Sequence, residues 1–89
     1  MKKKKNGCSM KIAVWLRGYL WQYAPGKNQK QFVLEIGEGA SIKELLEESL
    51  SMPYWATKDI YLNGTMVKKD AILHDVDNLR VYPMIFVGG

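Results

Sequence analysis

One short segment near the middle of the chain has the pattern of an amphipathic helix, and it limits the folds open to the remaining residues. Ser41 and Glu44 form a capping box, in which each side chain bonds a backbone N–H group at the start of a helix. Pro53 disfavours helical geometry at the residue before it, so the helix is predicted to end near Leu50–Met52. The apolar residues in between share one helical face: Ile42, Leu45, Leu46 and Leu50. A helix this short is unstable alone, so we expect it to pack on a sheet.

The segments on both sides of this helix have the patterns of strands. Alternating apolar and polar residues predict strands at residues 10–17 and 31–36, with a short helical turn between them. After the helix, strands are predicted at residues 59–62, 65–67 and 79–82. Asn63-Gly64 is typical of a tight hairpin turn, because both residues tolerate positive φ. In the segment that precedes the last strand, Ile72 and Leu73 are expected to point into the core.

The resulting order of elements is β-β-α-β-β-β. One helix over a mixed sheet of four to five strands is the β-grasp arrangement, an α+β fold. The 89 residues are enough for one small domain. We divide the chain into a disordered basic tail at residues 1–9, a β-grasp domain at residues 10–84 and a flexible C-terminal tail at residues 85–89.

The positive charge of the chain is concentrated near its start. Four consecutive lysines, Lys2 to Lys5, account for the whole formal net charge of +4. The remaining residues carry no basic stripe along which a phosphate backbone could bind, so no nucleic-acid partner is expected. No apolar run reaches the ~20 residues that a membrane helix needs, and no secretory signal is recognisable. The single cysteine, Cys8, excludes an internal disulfide and fits a reducing compartment, so we expect a cytoplasmic protein without a membrane partner.

The sequence has no motif of an enzyme active site. His74 is the only histidine, and no nucleophile motif accompanies it, so a structural or surface role is expected. No His/Cys cluster has metal-binding spacing, and no glycine-rich loop ending in Lys-Ser/Thr is present to hold a phosphate. We therefore expect no metal and no bound cofactor. Asp75 and Asp77 are expected to stabilise a turn.

The printed sequence ends in Val87-Gly88-Gly89, directly after an apolar segment. Because glycine has no Cβ, two consecutive glycines can form a segment thin enough to enter another protein's active site. Gly89 would then present its carboxylate there. Two interpretations of Phe86 and Val87 stay open: their side chains either contribute to the core or dock on a partner. The same two alternatives apply to four aromatic residues in connecting segments: Tyr19, Trp21, Tyr54 and Trp55.

Several motifs, taken together, resemble the MoaD/ThiS family of ubiquitin-like sulfur carriers, and the resemblance extends from Lys11 to Gly89. The motifs are Leu16-Arg17, Tyr23-Ala24, Gly26, the helix at residues 41–47, Leu62-Asn63-Gly64, Asp77, Leu79-Arg80-Val81-Tyr82-Pro83 and Val87-Gly88-Gly89. The resemblance implies a ubiquitin-like β-grasp fold. It also implies a protein substrate, possessing no activity of its own, that works as the small subunit of a synthase complex.

The resemblance further implies the chemistry and the partners. In this family an adenylating enzyme of the ubiquitin-activating type uses ATP and Mg²⁺ to activate the terminal glycine, here Gly89. The glycine becomes a thiocarboxylate, which donates sulfur to a cofactor-building synthase subunit. Gly88, Val87 and Phe86 would thread the tail and dock on the partners. The chain length and Pro83 favour molybdopterin or tungsten pterin over thiamine as the product. A ubiquitin-like protein modifier or a non-catalytic β-grasp interaction module is the alternative.

Overall fold

The structure, a computed structural model, describes residues 9–26 and 29–84. Five strands form one sheet: β1 (Ser9–Leu16), β2 (Gln31–Gly37), β3 (Thr57–Leu62), β4 (Thr65–Val67) and β5 (Asn78–Pro83). The main helix lies between β2 and β3. It begins with an α-helical turn, α1 (Ile42–Glu44), and continues as a π-helical stretch, Leu45–Ser49. Two 3₁₀ helices occupy Gly18–Tyr23 and Tyr54–Ala56.

The sheet is mixed, with the order β2-β1-β5-β3-β4. The central strand β5 runs parallel to its neighbour β1, and the other three neighbouring pairs are antiparallel. The first and last strands of the domain therefore lie side by side, and the helix crosses one face of the sheet. This arrangement confirms the α+β class and the β-grasp fold predicted from the order of elements.

The helix begins and ends as its sequence predicts. The N–H of Ser41 donates to Glu44 Oε1 over 2.9 Å, and the N–H of Glu44 donates to Ser41 Oγ over 3.2 Å, which completes the capping box. At the other end, the N–H of Leu50 donates to the carbonyl of Leu45 over 3.2 Å. Ser51 then takes φ 54°, a left-handed conformation that commonly terminates helices.

The core lies between this helix and the facing side of the sheet. The predicted helical stripe is buried throughout, and so are the inward residues of β1. The helix and loops cover the edge strand β2 less completely, as the half-buried Leu34 and Ile36 show. The fully buried side chains of largest volume are Ile12, Leu16, Leu20, Ile42, Leu45, Leu46, Met52, Leu73, Leu79, Val14 and Val81.

The prediction that both Ile72 and Leu73 point inwards is wrong for Ile72. Leu73 is buried, but 48% of Ile72 is exposed. Ile72 forms an antiparallel bridge with Ser41, so its backbone is extended there. Side chains that are adjacent on extended backbone point to opposite sides, and only one of the two can face the core.

The Asn63-Gly64 turn does more than reverse the chain between β3 and β4. Asn63 and Gly64 have φ values of 53° and 87°, as a type I′ hairpin requires. The Asn63 side chain donates to Asp77 Oδ1 and accepts from the N–H of Asn78, both over 2.9 Å. Asp77 Oδ2 in turn accepts from the N–H of His74 over 2.7 Å. The predicted turn role of Asp77 is confirmed, and the network also fixes the start of β5.

Candidate functional site

The end of β5 is held to the body of the protein by hydrogen bonds. Pro83 is the last residue of this strand, and Met84 follows it. The N–H of Met84 donates to the carbonyl of Ala56 over 2.8 Å. The hydroxyl of Tyr19 donates to the carbonyl of Met84 over 2.6 Å. Met84 therefore has both of its backbone polar groups bonded to segments that are distant in sequence, and we call Pro83 and Met84 the tail root.

Gly18 makes this arrangement possible. It follows β1, has φ 56°, and begins the 3₁₀ helix that carries Tyr19. A Cβ at this position would lie only 2.7 Å from Cγ of Pro83. The N–H of Arg17 donates to the carbonyl of Val81 over 3.0 Å and holds the turn beside β5. Glycine therefore meets two requirements here, a left-handed backbone and close approach to the tail root.

The predicted site residues Phe86, Val87, Gly88 and Gly89 lie outside the described residues, and their roles remain predictions. Cys8 and the lysines at positions 2–5 also lie outside them. What the structure does describe is the tail root, the point after which the predicted tail begins. Since the tail root is bonded to Ala56 and Tyr19, the chain leaves the sheet at a defined place.

A second feature is the face of the sheet opposite the helix, which we call the open face. Arg80 lies over the ring of Trp15, with its Cζ 5.3 Å from the ring centroid, and Arg17 lies over the ring of Tyr82 at 5.9 Å. Tyr61 meets Tyr82 edge to face, with centroids 5.5 Å apart. A depression of about 440 Å³ lies against Arg80 and the two tyrosines. Aromatic and guanidinium groups thus cover the centre of this face.

Sequence reasoning missed this cluster. In the sequence, Trp15 and Arg17 alternate with the apolar residues Val14 and Leu16, and a tryptophan among the outward positions of a strand is the available signal. The positions of Arg80 and Tyr82 beside them depend on the pairing of β1 with β5, which are more than sixty residues apart in sequence. Nothing local in either strand predicts that pairing.

The aromatic residues of the connecting segments differ in burial, and their docking on a partner stays a prediction. Tyr19 packs against the core and bonds the tail root. Trp21 is 41% exposed and Trp55 is 50% exposed, so both present apolar surface to solvent.

The described ranges contain no group of three acidic, histidine or cysteine side chains that could hold a metal ion. His74 is largely exposed, with Nδ1 3.9 Å from Asp77 Oδ2, which agrees with the predicted surface role.

Partial burial lowers the pKa of Lys69; Glu47 opposes this change and Lys43 reinforces it. Across the described residues, no helix is both long enough and apolar enough to span a bilayer.

Comparison with solved structures identifies proteins that share this fold. The HVO 2177 protein of Haloferax volcanii superimposes with a TM-score of 0.72 at 16% identity, covering 98% of this chain and 94% of that chain. A Pyrococcus furiosus protein described as molybdopterin converting factor, subunit 1, gives 0.65 at 24% identity, covering 85% and 99%. SAMP1 of Haloferax volcanii gives 0.62 at 12% identity, covering 88% and 99%. At these identities the likeness shows a shared fold.

Among curated proteins, none matches the chain. A family model does match: the Mut7-C ubiquitin model covers residues 9–86. This range includes every strand of the sheet and the main helix, and it confirms the ubiquitin-like resemblance seen in the sequence motifs. On this match the chain belongs to the Mut7-C ubiquitin family.

Proposed function

We propose that the chain is a sulfur carrier whose Gly89 carboxylate is adenylated and then converted to a thiocarboxylate. The observation that carries the proposal is the ubiquitin-like fold with its last strand at the centre of the sheet, anchored at Met84. A carrier needs a stable body and a chain end that a partner can reach. The five residues after Met84 can span at most about 17 Å. That length would let Gly89 enter a partner's active site while the body stays outside.

The proposed chemistry is supplied by partners. An enzyme of the ubiquitin-activating type joins a carboxylate oxygen of Gly89 to the α-phosphorus of ATP, with Mg²⁺, and pyrophosphate leaves. Hydrosulfide or an equivalent donor then attacks the acyl carbon, AMP leaves, and the thiocarboxylate remains after loss of a proton. Gly88 keeps the approach thin, while Val87 and Phe86 dock on the partner. The chain itself contributes position rather than a nucleophile, metal or cofactor.

We further propose that a synthase subunit accepts the sulfur during cofactor biosynthesis in the cytoplasm, with the carrier as its small subunit. A molybdopterin or tungsten pterin product is favoured over thiamine. The fold shared with the Pyrococcus furiosus protein described as a molybdopterin converting factor subunit supports this choice.

Intact-mass spectrometry tests the proposal directly. The full chain is incubated with an activating enzyme from the same genome, ATP, Mg²⁺ and sulfide. Exchange of one carboxylate oxygen for sulfur should add about 16 Da, as activation of the carboxyl group for nucleophilic attack requires. A chain that lacks Gly88 and Gly89 is the control and should gain nothing. Unchanged mass with an enzyme that demonstrably binds the chain and ATP would reject the proposal.

A protein modifier is the second candidate, and one comparison favours it. Another solved structure that shares this fold is described as small archaeal modifier protein 1 of H. volcanii, with a TM-score of 0.58 at 10% identity. A modifier would be joined through Gly89 to lysine side chains of other proteins by isopeptide bonds. Peptide mass spectrometry of cells that express the tagged chain would detect these adducts. A plain interaction module would show neither adducts nor a thiocarboxylate.

A further inference from the structure

The centre of the open face has an ordered pattern of cations and aromatic rings. Trp15 of β1 lies opposite Arg80 of β5 in the parallel register. Two residues further along each strand, on the same face, the arginine is on β1 and the aromatic residue on β5: Arg17 lies beside Tyr82. Each guanidinium covers the ring across from it, at 5.3 Å and 5.9 Å. We call these four residues the checkerboard.

Hydrogen-bond donors outnumber acceptors on the checkerboard. Among the residues that the structure describes, neither Arg17 nor Arg80 has a carboxylate within ion-pair distance. The indole Nε1 of Trp15 is buried and has no hydrogen-bond partner in the same part of the chain. A guanidinium stacked on a ring keeps the N–H groups along its edge available. The two exposed guanidinium groups therefore lack acceptors that an incoming ligand could supply, whereas the Trp15 Nε1 is too buried for a ligand to reach.

The spacing of the two arginines suits a pair of carboxylates. They lie diagonally on neighbouring strands, which places their Cα atoms about 8 Å apart by strand spacing and rise. Because each guanidinium rests on an aromatic ring, less side-chain freedom is lost when it binds. The depression beside Tyr61 and Tyr82 lies next to Arg80 and can take an apolar side chain. Arginine, tryptophan and tyrosine are also the residues that most often dominate protein interfaces.

We propose that the checkerboard binds an acidic segment of a partner protein, with one carboxylate on Arg17, a second on Arg80 and an apolar side chain beside Tyr61. A protein fits better than a nucleic acid. Asp59 lines the same depression, and Glu35 of β2 lies opposite Lys11 of β1 in the strand register, so the surroundings carry mixed charge. A polyanion binds through many phosphate contacts, which two isolated arginines do not provide. The proposal goes beyond the sulfur-carrier function and does not depend on Gly89.

Nuclear magnetic resonance titration of the ¹⁵N-labelled full chain tests this surface. The probe is the end-blocked peptide Gly-Glu-Ser-Glu-Ser-Leu-Gly, in which alternate residues of an extended chain place both glutamates and the leucine on one face, and its matched counterpart has glutamine in place of both glutamates. The glutamate peptide should shift the Trp15 indole signal and the signals of Arg17 and Arg80, and should bind about 10-fold more tightly than its counterpart. Arg17→Gln and Arg80→Gln should each weaken binding about 3- to 10-fold.

Two further variants separate binding from charge and folding. Lys43→Gln removes an exposed cation from the helix, away from the open face, and should leave binding unchanged. Arg80→Lys keeps the charge but loses the planar guanidinium, so its affinity should fall between those of the wild type and Arg80→Gln. Thermal melts of every variant establish that each is folded.

Several outcomes would overturn the proposal. These are equal binding of the two peptides, shifts confined to another surface, no binding of the glutamate peptide, and tighter binding of a ten-nucleotide thymidine strand. Self-association of the chain through the checkerboard, in place of peptide binding, would also overturn it. Because the titration uses the unreacted chain, its failure leaves the proposed chemistry of Gly89 unaffected.

Discussion

At the scale of single residues, Gly18 has the most specific requirement in the described part of the domain. Its φ of 56° and the 2.7 Å that would separate a Cβ from Cγ of Pro83 both disfavour a side chain. We expect Gly18→Ala to lower the free energy of unfolding by about 2–5 kcal/mol, because a left-handed backbone costs about 1–2 kcal/mol and overpacking a further 1–3 kcal/mol. Urea denaturation measures the loss.

Gly39→Ala is the matched control for this substitution. Gly39 has φ 88°, but no heavy atom lies within 4 Å of where its Cβ would be. Only the backbone cost applies there, so the loss should be about 1–2 kcal/mol. Equal losses in the two variants would contradict a close contact between Gly18 and the tail root. The sequence predicts a break at Gly18 but not this contact, because Pro83 is remote along the chain.

At the scale of elements, the main helix depends on its buried stripe. Leu46 is 2% exposed, and its carbonyl accepts the N–H of Met52 over 2.9 Å. Leu46→Ala should lower the free energy of unfolding by about 2–5 kcal/mol, because it leaves a cavity between the helix and the sheet. Glu48→Ala, on the exposed side of the same helix, should change it by less than about 0.5 kcal/mol. Alanine is the best helix former, so similar losses in both variants could not come from helix propensity and would contradict the buried stripe as the source of the loss.

The elements also show where prediction from sequence succeeds. The capping box and the Asn63-Gly64 hairpin were predicted correctly, because their bonds join residues a few positions apart. Alternation identified the strands, with ends differing by one or two residues, since fraying and pairing decide where a strand stops. Ile72 was placed inwards by its apolar character alone. Its position was decided by the bridge to Ser41, which composition does not reveal.

At the scale of the whole molecule, the pairing of β1 with β5 creates both features of functional interest. It places Arg80 and Tyr82 beside Trp15 and Arg17, and it brings the tail root beside Gly18 and Tyr19. The order of elements predicted the fold. The sulfur-carrier motifs predict a role for the C-terminal glycines, which lie outside the described residues. The open face was not predicted, since it results from contacts between the two ends of the domain.

In the whole molecule, we expect folding stability and thiocarboxylate formation to depend on different residues. Deleting Gly88 and Gly89 should abolish thiocarboxylate formation, because the carboxylate would no longer extend on a thin segment. The free energy of unfolding should stay within about 0.5 kcal/mol of the wild type, since terminal residues bury little surface. Intact mass after reaction and urea denaturation of the same preparation measure the two effects.

The Leu46→Ala variant is the complementary control for this deletion. It should lose stability, yet at a temperature where it remains folded its Gly89 should still gain the sulfur mass, because Leu46 lies in the core and is not part of the tail root. A deletion that unfolds the domain would mean that the final glycines contribute to the body, and the proposed separation would then be wrong. A deletion variant that still acquires sulfur would place the reactive group elsewhere in the chain. Loss of reaction with unchanged stability is the only result that assigns recognition to the glycines and folding to the residues before them.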